Sequence, residues 1–387
     1  MKNKIILALM LSSLSFISCS RGDGGSSSEP ITPITVDESY KYEFSRNGFS
    51  TVDLNEGIEM INSFYQLDKS LKTAGITSLS KYQSLTSYDK SMESITASST
   101  GYYLKNSALR TKVLNDVRHL FDDLDMIRNA GGSEAEEGKA GFIGYDQEKR
   151  YVNEYGIETG AVLQKVLMGL ALLDQISNDQ LSNNVLDNSK LQNDNSNGVL
   201  VSGKKYTELE HHWDLAYSYL GKENFTQTPL FISNYMEKET IDMPFLKDID
   251  KRVYKAFYLG RKAAVEKNYT EMKAQANVIK KELNTLFAAR AIYYLKKGIP
   301  DLRENVKNAF HGLSEAYGFI YALNACRDTN GKQYVSYDEI NQMLSDLKGE
   351  RGFWDVDRLA ADESTTGSLL NVSKRIADKF GFNVNDI

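Results

Sequence analysis

Between Ala161 and Leu173 nearly every residue is apolar, with Gln164 and Lys165 as the exceptions. A helix with that composition has no face fit for water, so other elements must enclose it on all sides. The rest of the chain supplies candidates for that enclosure. Val113, Val117, Leu120, Leu124 and Ile127 step by four and three, as the core-facing stripe of a helix does, and the pattern stops at Ala130-Gly-Gly132. From Met272 the positions Ala276, Ile279, Leu283, Leu286 and Phe287 repeat it, with Gly298 and Pro300 placed as terminators. Only five prolines interrupt 387 residues, and alternating runs are few. The fold class that follows is all-α, a pair of packed helical bundles. Helices are expected at 53–76, 108–129 and 158–177, then at 205–221, 247–267, 270–297, 301–326, 336–348 and 367–380. Asn178 to Lys204 carries seven asparagines between 178 and 197. It is read as a loop joining bundle halves at 37–177 and 205–387.

The first residues have another logic. Lys2 and Lys4 precede the apolar run Ile5 to Leu11, and Ser12 to Ser18 leads to Cys19, the order of an export signal at 1–18. Leu14-Ser-Phe-Ile-Ser-Cys19 resembles a bacterial lipobox, which implies cleavage before Cys19 and lipidation of its thiol. Acyl chains contribute about 0.8 kcal/mol per buried methylene, so the mature protein is expected to stay attached to a membrane through Cys19. The polar stretch that follows, 19–36, reads as a flexible tether, and the expected location is the cell envelope at the outer membrane. With Cys19 lipidated, Cys326 has no partner for a disulfide. Loss of Lys2 and Lys4 with the signal takes the formal charge from -6 to -8, and basic residues are scattered among acids, which argues against nucleic acid.

Candidate chemistry concentrates in Glu210-His-His-Trp-Asp214. Thr207 and Glu210 have capping-box spacing, so a helix should begin just before the histidines. His211 and Asp214 lie three apart and can meet on one helix surface as a hydrogen-bonded pair or as two metal ligands, with His212 and Glu210 flanking them. His311 and Glu315 form a second pair at i and i+4, on a stripe continued by the small residues Gly318 and Ala322, which let another helix approach closely. If that helix is the one carrying His211 or the buried one beginning near Glu158, then His211, Asp214, His311, Glu315 and Glu158 converge on one pocket. Such a nitrogen and oxygen set suits iron, zinc or manganese. The plain alternative is histidines held by carboxylates within a core network.

Other motifs are weaker or missing. Asp328 to Glu339 echoes a calcium loop, but Lys332 stands where an acid belongs and Gln333 where glycine belongs, and Ser336 with Glu339 reads as a capping box. His119 reads as a rim residue and Cys326 as core packing. The sequence has no His-Glu-x-x-His, no phosphate-cradling lysine loop and no Gly-x-Ser-x-Gly elbow.

Several stretches together resemble a family of uncharacterised Gram-negative lipoproteins related to the imelysin-like proteins. They are Tyr42-Glu-Phe-Ser-Arg-Asn-Gly-Phe-Ser-Thr-Val-Asp53, Gly156-Ile-Glu-Thr-Gly-Ala-Val-Leu-Gln164, Glu210-His-His-Trp-Asp-Leu-Ala-Tyr217 and Ser314-Glu-Ala-Tyr-Gly-Phe-Ile320. The resemblance implies an exported protein of two helical bundles, often linked to iron uptake and in some cases described as a peptidase. The imelysin pattern of glycine, any residue, histidine, two residues and glutamate is met only by His211 and Asp214, with Leu209 in the glycine position and aspartate for glutamate. The expected role is therefore binding, with iron capture foremost and an unknown transporter as partner. A metallopeptidase using Glu158 or Glu315 as base is one alternative. A surface glycan-binding lipoprotein, suggested by 23 tyrosines, is the other.

Overall fold

The computed structural model describes residues 40–72, 107–130, 132–144, 149–238, 240 and 243–387. The expected signal, the tether and the lipidation position Cys19 lie outside the described residues. An N-terminal hairpin pairs β1 (Ser45–Arg46) with β2 (Phe49–Ser50) across Asn47-Gly48, both of positive φ as a tight two-residue hairpin turn demands. Helices α1 (Asn55–Lys72) and α2 (Ser107–Ala130) follow, then a second small sheet of β3 (Gly141–Ile143) and β4 (Arg150–Val152). The apolar run forms α3 (Thr159–Leu167), which continues without a break into π-helical turns at Met168–Leu173 and Gln175–Gln180. Every residue from Thr159 to Gln180 except Gln164 is buried, as its composition requires.

After α4 (Ser189–Ser196) come α5 (Glu208–Ser218), α6 (Phe231–Glu237) and α7 (Ile249–Glu266). The long α8 (Tyr269–Glu304), α9 (Val306–Ala322), α10 (Tyr337–Lys348) and α11 (Leu369–Phe380) complete the order. Helix α8 packs along α7, α9 and α11, α9 packs along α3, and α3 is flanked by α1 and α2. The apolar stripes read from the sequence are in the core: Val113, Val117, Leu124 and Ile127 on α2, and Ala276, Ile279, Leu283, Leu286 and Phe287 on α8 are all buried. The all-α class holds, and the core runs continuously through residues of both expected halves.

Two expectations about boundaries fail. Residues 178–204 are not simply a loop, because π-helical and α-helical turns occupy much of 175–196. The asparagines there work as caps and struts. Asn188 Oδ1 accepts the Lys190 and Leu191 amides at 3.0 and 3.2 Å, and buried Asn195 bonds the Ala264 carbonyl at 2.8 Å and the Thr207 hydroxyl at 2.7 Å. The break expected at Gly298 and Pro300 falls instead at Asn305, whose side chain caps α9 through the Lys307 amide at 3.1 Å. Gly298 serves packing, since a Cβ there would lie 2.5 Å from Leu313 Cδ2. Pro300 sits in the last turns of α8, where the helix is about to end in any case.

Candidate functional site

The sequence-nominated side chains fall into two clusters, and among the described residues no hydrogen bond or ion pair joins one cluster to the other.

The first cluster is built where α3 meets α9. Gly318 makes this crossing close: a Cβ there would come within 2.7 Å of the Val162 carbonyl oxygen and 2.8 Å of Lys165 Cβ. This is the close approach the small residues Gly318 and Ala322 foretold, and the partner is the buried helix beginning near Glu158. Glu158 sits at the N-cap of α3, with its backbone amide donating to Ser314 Oγ at 2.8 Å. Its carboxylate Oε2 lies 2.7 Å from His311 Nδ1, and Oε1 lies 3.2 Å from Arg150 Nη1 on β4. Arg150 Nη1 is also 3.0 Å from His311 Nδ1, and a single ring nitrogen cannot both donate to Glu158 and accept from Arg150. The shorter contact places the proton on Nδ1, directed at the carboxylate, and leaves the guanidinium to Glu158. His311 Nε2 then faces Glu315 Oε1 at 3.7 Å.

Glu315 is the deeper acid. Burial works to raise its carboxyl, but the Lys165 ammonium at 2.8 Å, His311 and the Tyr294 hydroxyl outweigh it and hold the group at about 2. Lys165, 1% exposed, is the residue that interrupts the apolar run, and it also reaches Gln164 Oε1. Its Nζ lies 5.2 Å from the Tyr235 ring centre and 5.9 Å from that of Phe319. Behind it the Arg290 guanidinium stacks on Tyr235, Tyr293 and Tyr294 at 5.0, 4.7 and 4.4 Å. Burial drives the Tyr294 hydroxyl far above its ordinary value, so it stays protonated and donates.

This cluster opens on a cleft of about 570 Å³. Tyr65, Phe231, Tyr235 and Tyr294 give it aromatic walls. Asp68, Gln164, Asn234, Lys297, Asp301 and Asn308 add polar groups around Lys165, His311 and Glu315. Among the described residues, the hydroxyls that line it are those of Tyr65, Tyr235 and Tyr294, and His311 is oriented by Glu158 as a general base would be.

The second cluster surrounds α5, and its centre of Glu210, Asp214 and Arg261 is fully buried. Thr207 and Glu210 form the expected capping box, with the Thr207 amide donating to Glu210 Oε2 at 2.8 Å. Arg46 from the hairpin pairs with Glu210 at 2.7 Å. Arg261 of α7, fully buried, donates from Nε to Asp214 Oδ1 at 2.9 Å and lies 3.5 Å from Glu210. Asp214 also accepts the Tyr42 hydroxyl at 3.0 Å and the Asp53 amide at 3.1 Å. Burial raises its carboxyl to about 6 against the pull of Arg261.

The expected meeting of His211 with Asp214 does not occur. Asp214 turns inward to Arg261, whereas His211 stacks on Tyr206 at 4.4 Å and lines a separate small cleft with Asp53 and Lys204. Burial lowers His211 to about 4. His212, also lowered by burial, places Nδ1 2.7 Å from Gln180 Oε1. The convergence of His211, Asp214, His311, Glu315 and Glu158 on one pocket is therefore corrected to two separate groups. The helical path of α5 turns its inner face to α7, and only Glu158, His311 and Glu315 come together.

Iron or zinc does not fit either group as built. Among the described residues no set of three or more His, Cys, Asp or Glu side chains is placed to hold a metal ion. The reason is electrostatic: Lys165, Arg150, Arg261 and Arg46 already occupy the carboxylate oxygens that a cation would need. Asp328 accepts the Asn330 and Lys332 amides within its own turn, Ser336 and Glu339 form the expected capping box, and Cys326 is buried with its thiol pushed up by burial. None of the described helices is long and apolar enough to cross a membrane.

Sequence reading alone missed Arg150, Arg261, Arg46, Tyr42 and Tyr294 as partners. Lys165 was visible as an anomaly, a lysine in a run with no watery face, and that anomaly marked the cleft.

Residues 39–383 match a family model described as Domain of unknown function (DUF4856). No curated protein and no solved structure matches the chain.

Proposed function

The chain belongs to this DUF4856 family, and on that premise we propose a lipid-anchored binding protein of the cell envelope that seats a small hydroxyl-rich ligand of the sugar class between α3 and α9. The observation that carries this reading is the cleft itself, in which fixed polar side chains stand beside aromatic faces. Sugar hydroxyls both donate and accept, which suits acceptors such as Asp68 and Asp301 set among donors such as Lys297, Asn234 and Asn308. Tyrosine rings supply flat apolar faces with a polar tip for the C–H side of such a ligand. The buried Lys165–Glu315 pair fixes the floor before any ligand arrives, which lowers the ordering cost of binding.

The relation to imelysin-like proteins that the Glu210-His-His-Trp-Asp stretch implies is consistent with an exported helical scaffold. Its metal chemistry is not carried over, because Asp214 is committed to Arg261. Attachment to the membrane rests on the lipobox resemblance at Cys19. Loss of labelled palmitate incorporation in Cys19→Ala tests that part alone.

Calorimetric titration with a panel of neutral mono- and oligosaccharides tests the ligand. Saturable binding that drops at least tenfold in Tyr294→Ala or Asp301→Ala is expected. Absence of saturable heat for every sugar up to millimolar concentration would remove the reading.

A further inference from the structure

Lys280, in the middle of α8, is 6% exposed, and among the described residues no carboxylate reaches it within ion-pair distance. Burial, with a smaller push from the like charge of Lys273 and against the pull of Asp187, itself paired with Lys273 at 2.5 Å, lowers its ammonium to about 8. A buried cation without a counter-charge is expensive to maintain. Lys280 faces a cleft of about 310 Å³ between α8 and the loop 327–334.

Lys281 and Arg327 join Lys280 in lining that cleft, against the single carboxylate of Asp328. Asp328 Oδ1 is engaged by the Asn330 and Lys332 amides at 2.9 and 2.8 Å, so it serves its own turn. Two further lining groups, Asn277 Oδ1 and Asn284 Oδ1, are buried acceptors that no donor satisfies. The cleft therefore combines cationic donors with unfilled acceptors. A tetrahedral oxyanion that keeps an O–H near neutral pH meets both demands. Phosphate does so and sulfate does not.

We propose that this cleft is a phosphate-binding site, with Lys280 supplying the charge and the Asn277 and Asn284 amide oxygens accepting the phosphate O–H. The ligand is inorganic phosphate, which keeps an O–H at neutral pH where a monoester, with its second pKa near about 6, largely does not. The site is independent of the sugar cleft, which shares no lining residue with it.

The test is calorimetric titration of the full chain with inorganic phosphate, sulfate and glycerol 3-phosphate at constant ionic strength. Phosphate is expected to bind at least tenfold more tightly than sulfate. Lys280→Met should weaken it tenfold or more while leaving sugar titrations unchanged. Should Lys280→Met fail to fold, Asn277→Asp at the half-buried rim carries the test, with a similar loss expected from repulsion. Glycerol 3-phosphate, largely without an O–H at neutral pH, should bind more weakly than the free ion, and an ester that binds as tightly overturns the role given to the Asn277 and Asn284 oxygens. Equal affinity for phosphate and sulfate, no phosphate heat in the unaltered chain, or full affinity in the variant that folds would each overturn the proposal.

Discussion

The buried charges around α5 and those between α3 and α9 use the same ingredients and end differently. At Asp214 the Arg261 guanidinium meets a phenol and a backbone amide from residues 42–53, and both carboxylate oxygens are engaged. At Glu315 an ammonium is shared with a glutamine and aromatic faces, and the acid still lines an open cleft. The first arrangement is a fastener that holds residues 42–53 onto α5 and α7. The second leaves its acid on the wall of an open cleft, where we place the proposed ligand. The difference lies in enclosure, since Asp214 is fully buried and Glu315 lines the cleft, and neither composition nor spacing encodes that.

Breaking the fastener should have the largest effect. Arg261→Met strands the fully buried Asp214 carboxylate and takes a second cation from Glu210, which keeps Arg46, and an unfolding titration should show a loss of about 5 kcal/mol, the upper end for a broken buried pair. Lys165→Met strands one, with about 3 kcal/mol lost and ligand binding abolished. Double substitution sharpens the contrast. Lys165→Met with Glu315→Leu should recover most of the stability, since the pair is replaced by apolar groups. Arg261→Met with Asp214→Leu should not, because the Tyr42 hydroxyl and Asp53 amide then lose their acceptor. Full recovery in both would erase the distinction.

The clusters should also answer acid with opposite sign. Glu315 is held at about 2, below its ordinary 4.5, so its contribution, on the order of 3 kcal/mol, is present above pH 4.5 and lost as pH falls toward 2. Asp214 is raised to about 6 from 3.8. Between these values the folded state takes up a proton that the unfolded chain refuses, so this group adds stability as pH falls through that window. Denaturant midpoints against pH for Glu315→Gln and Asp214→Asn should lose slopes of opposite direction.

Smaller effects probe the edges. Gly318→Ala must push α9 off the Val162 carbonyl, costing about 1–3 kcal/mol and weakening ligand binding along with it. Tyr42→Phe removes one hydrogen bond to Asp214, about 1 kcal/mol by thermal melt, with no effect on the cleft.

Much of the scaffold was legible in the sequence because it rests on local periodicity. The stripes of α2 and α8, the enclosed α3, the capping boxes at Thr207 and Ser336 and the small residues Gly318 and Ala322 each announce themselves within a few residues. What was not legible depends on distant partners. Asp214 is fixed by Arg261, 47 positions away, and by Tyr42, 172 positions away, and no local spacing encodes either. Asparagine disfavours helix interiors and so signals a loop at 178–204, yet Asn188 caps a helix and Asn195 braces one, tasks for which the same short amide is well suited. Within the candidate site, Glu158, His311 and Glu315 were nominated together, and the cationic partners that decide their chemistry were not.

The π-helical turns that extend α3 give one rod two kinds of neighbour. Near its start Lys165 and Gln164 face the cleft, and at its close Gln180 touches the imidazole of His212 on α5. A guest that tugs on Lys165 therefore strains the same continuous backbone that positions Gln180. The ring of His212, its basicity lowered by burial and its Nδ1 held by that amide, is thereby a natural reporter: its nuclear magnetic resonance signal should move if the proposed ligand fills the distant cleft, although the ligand never touches it.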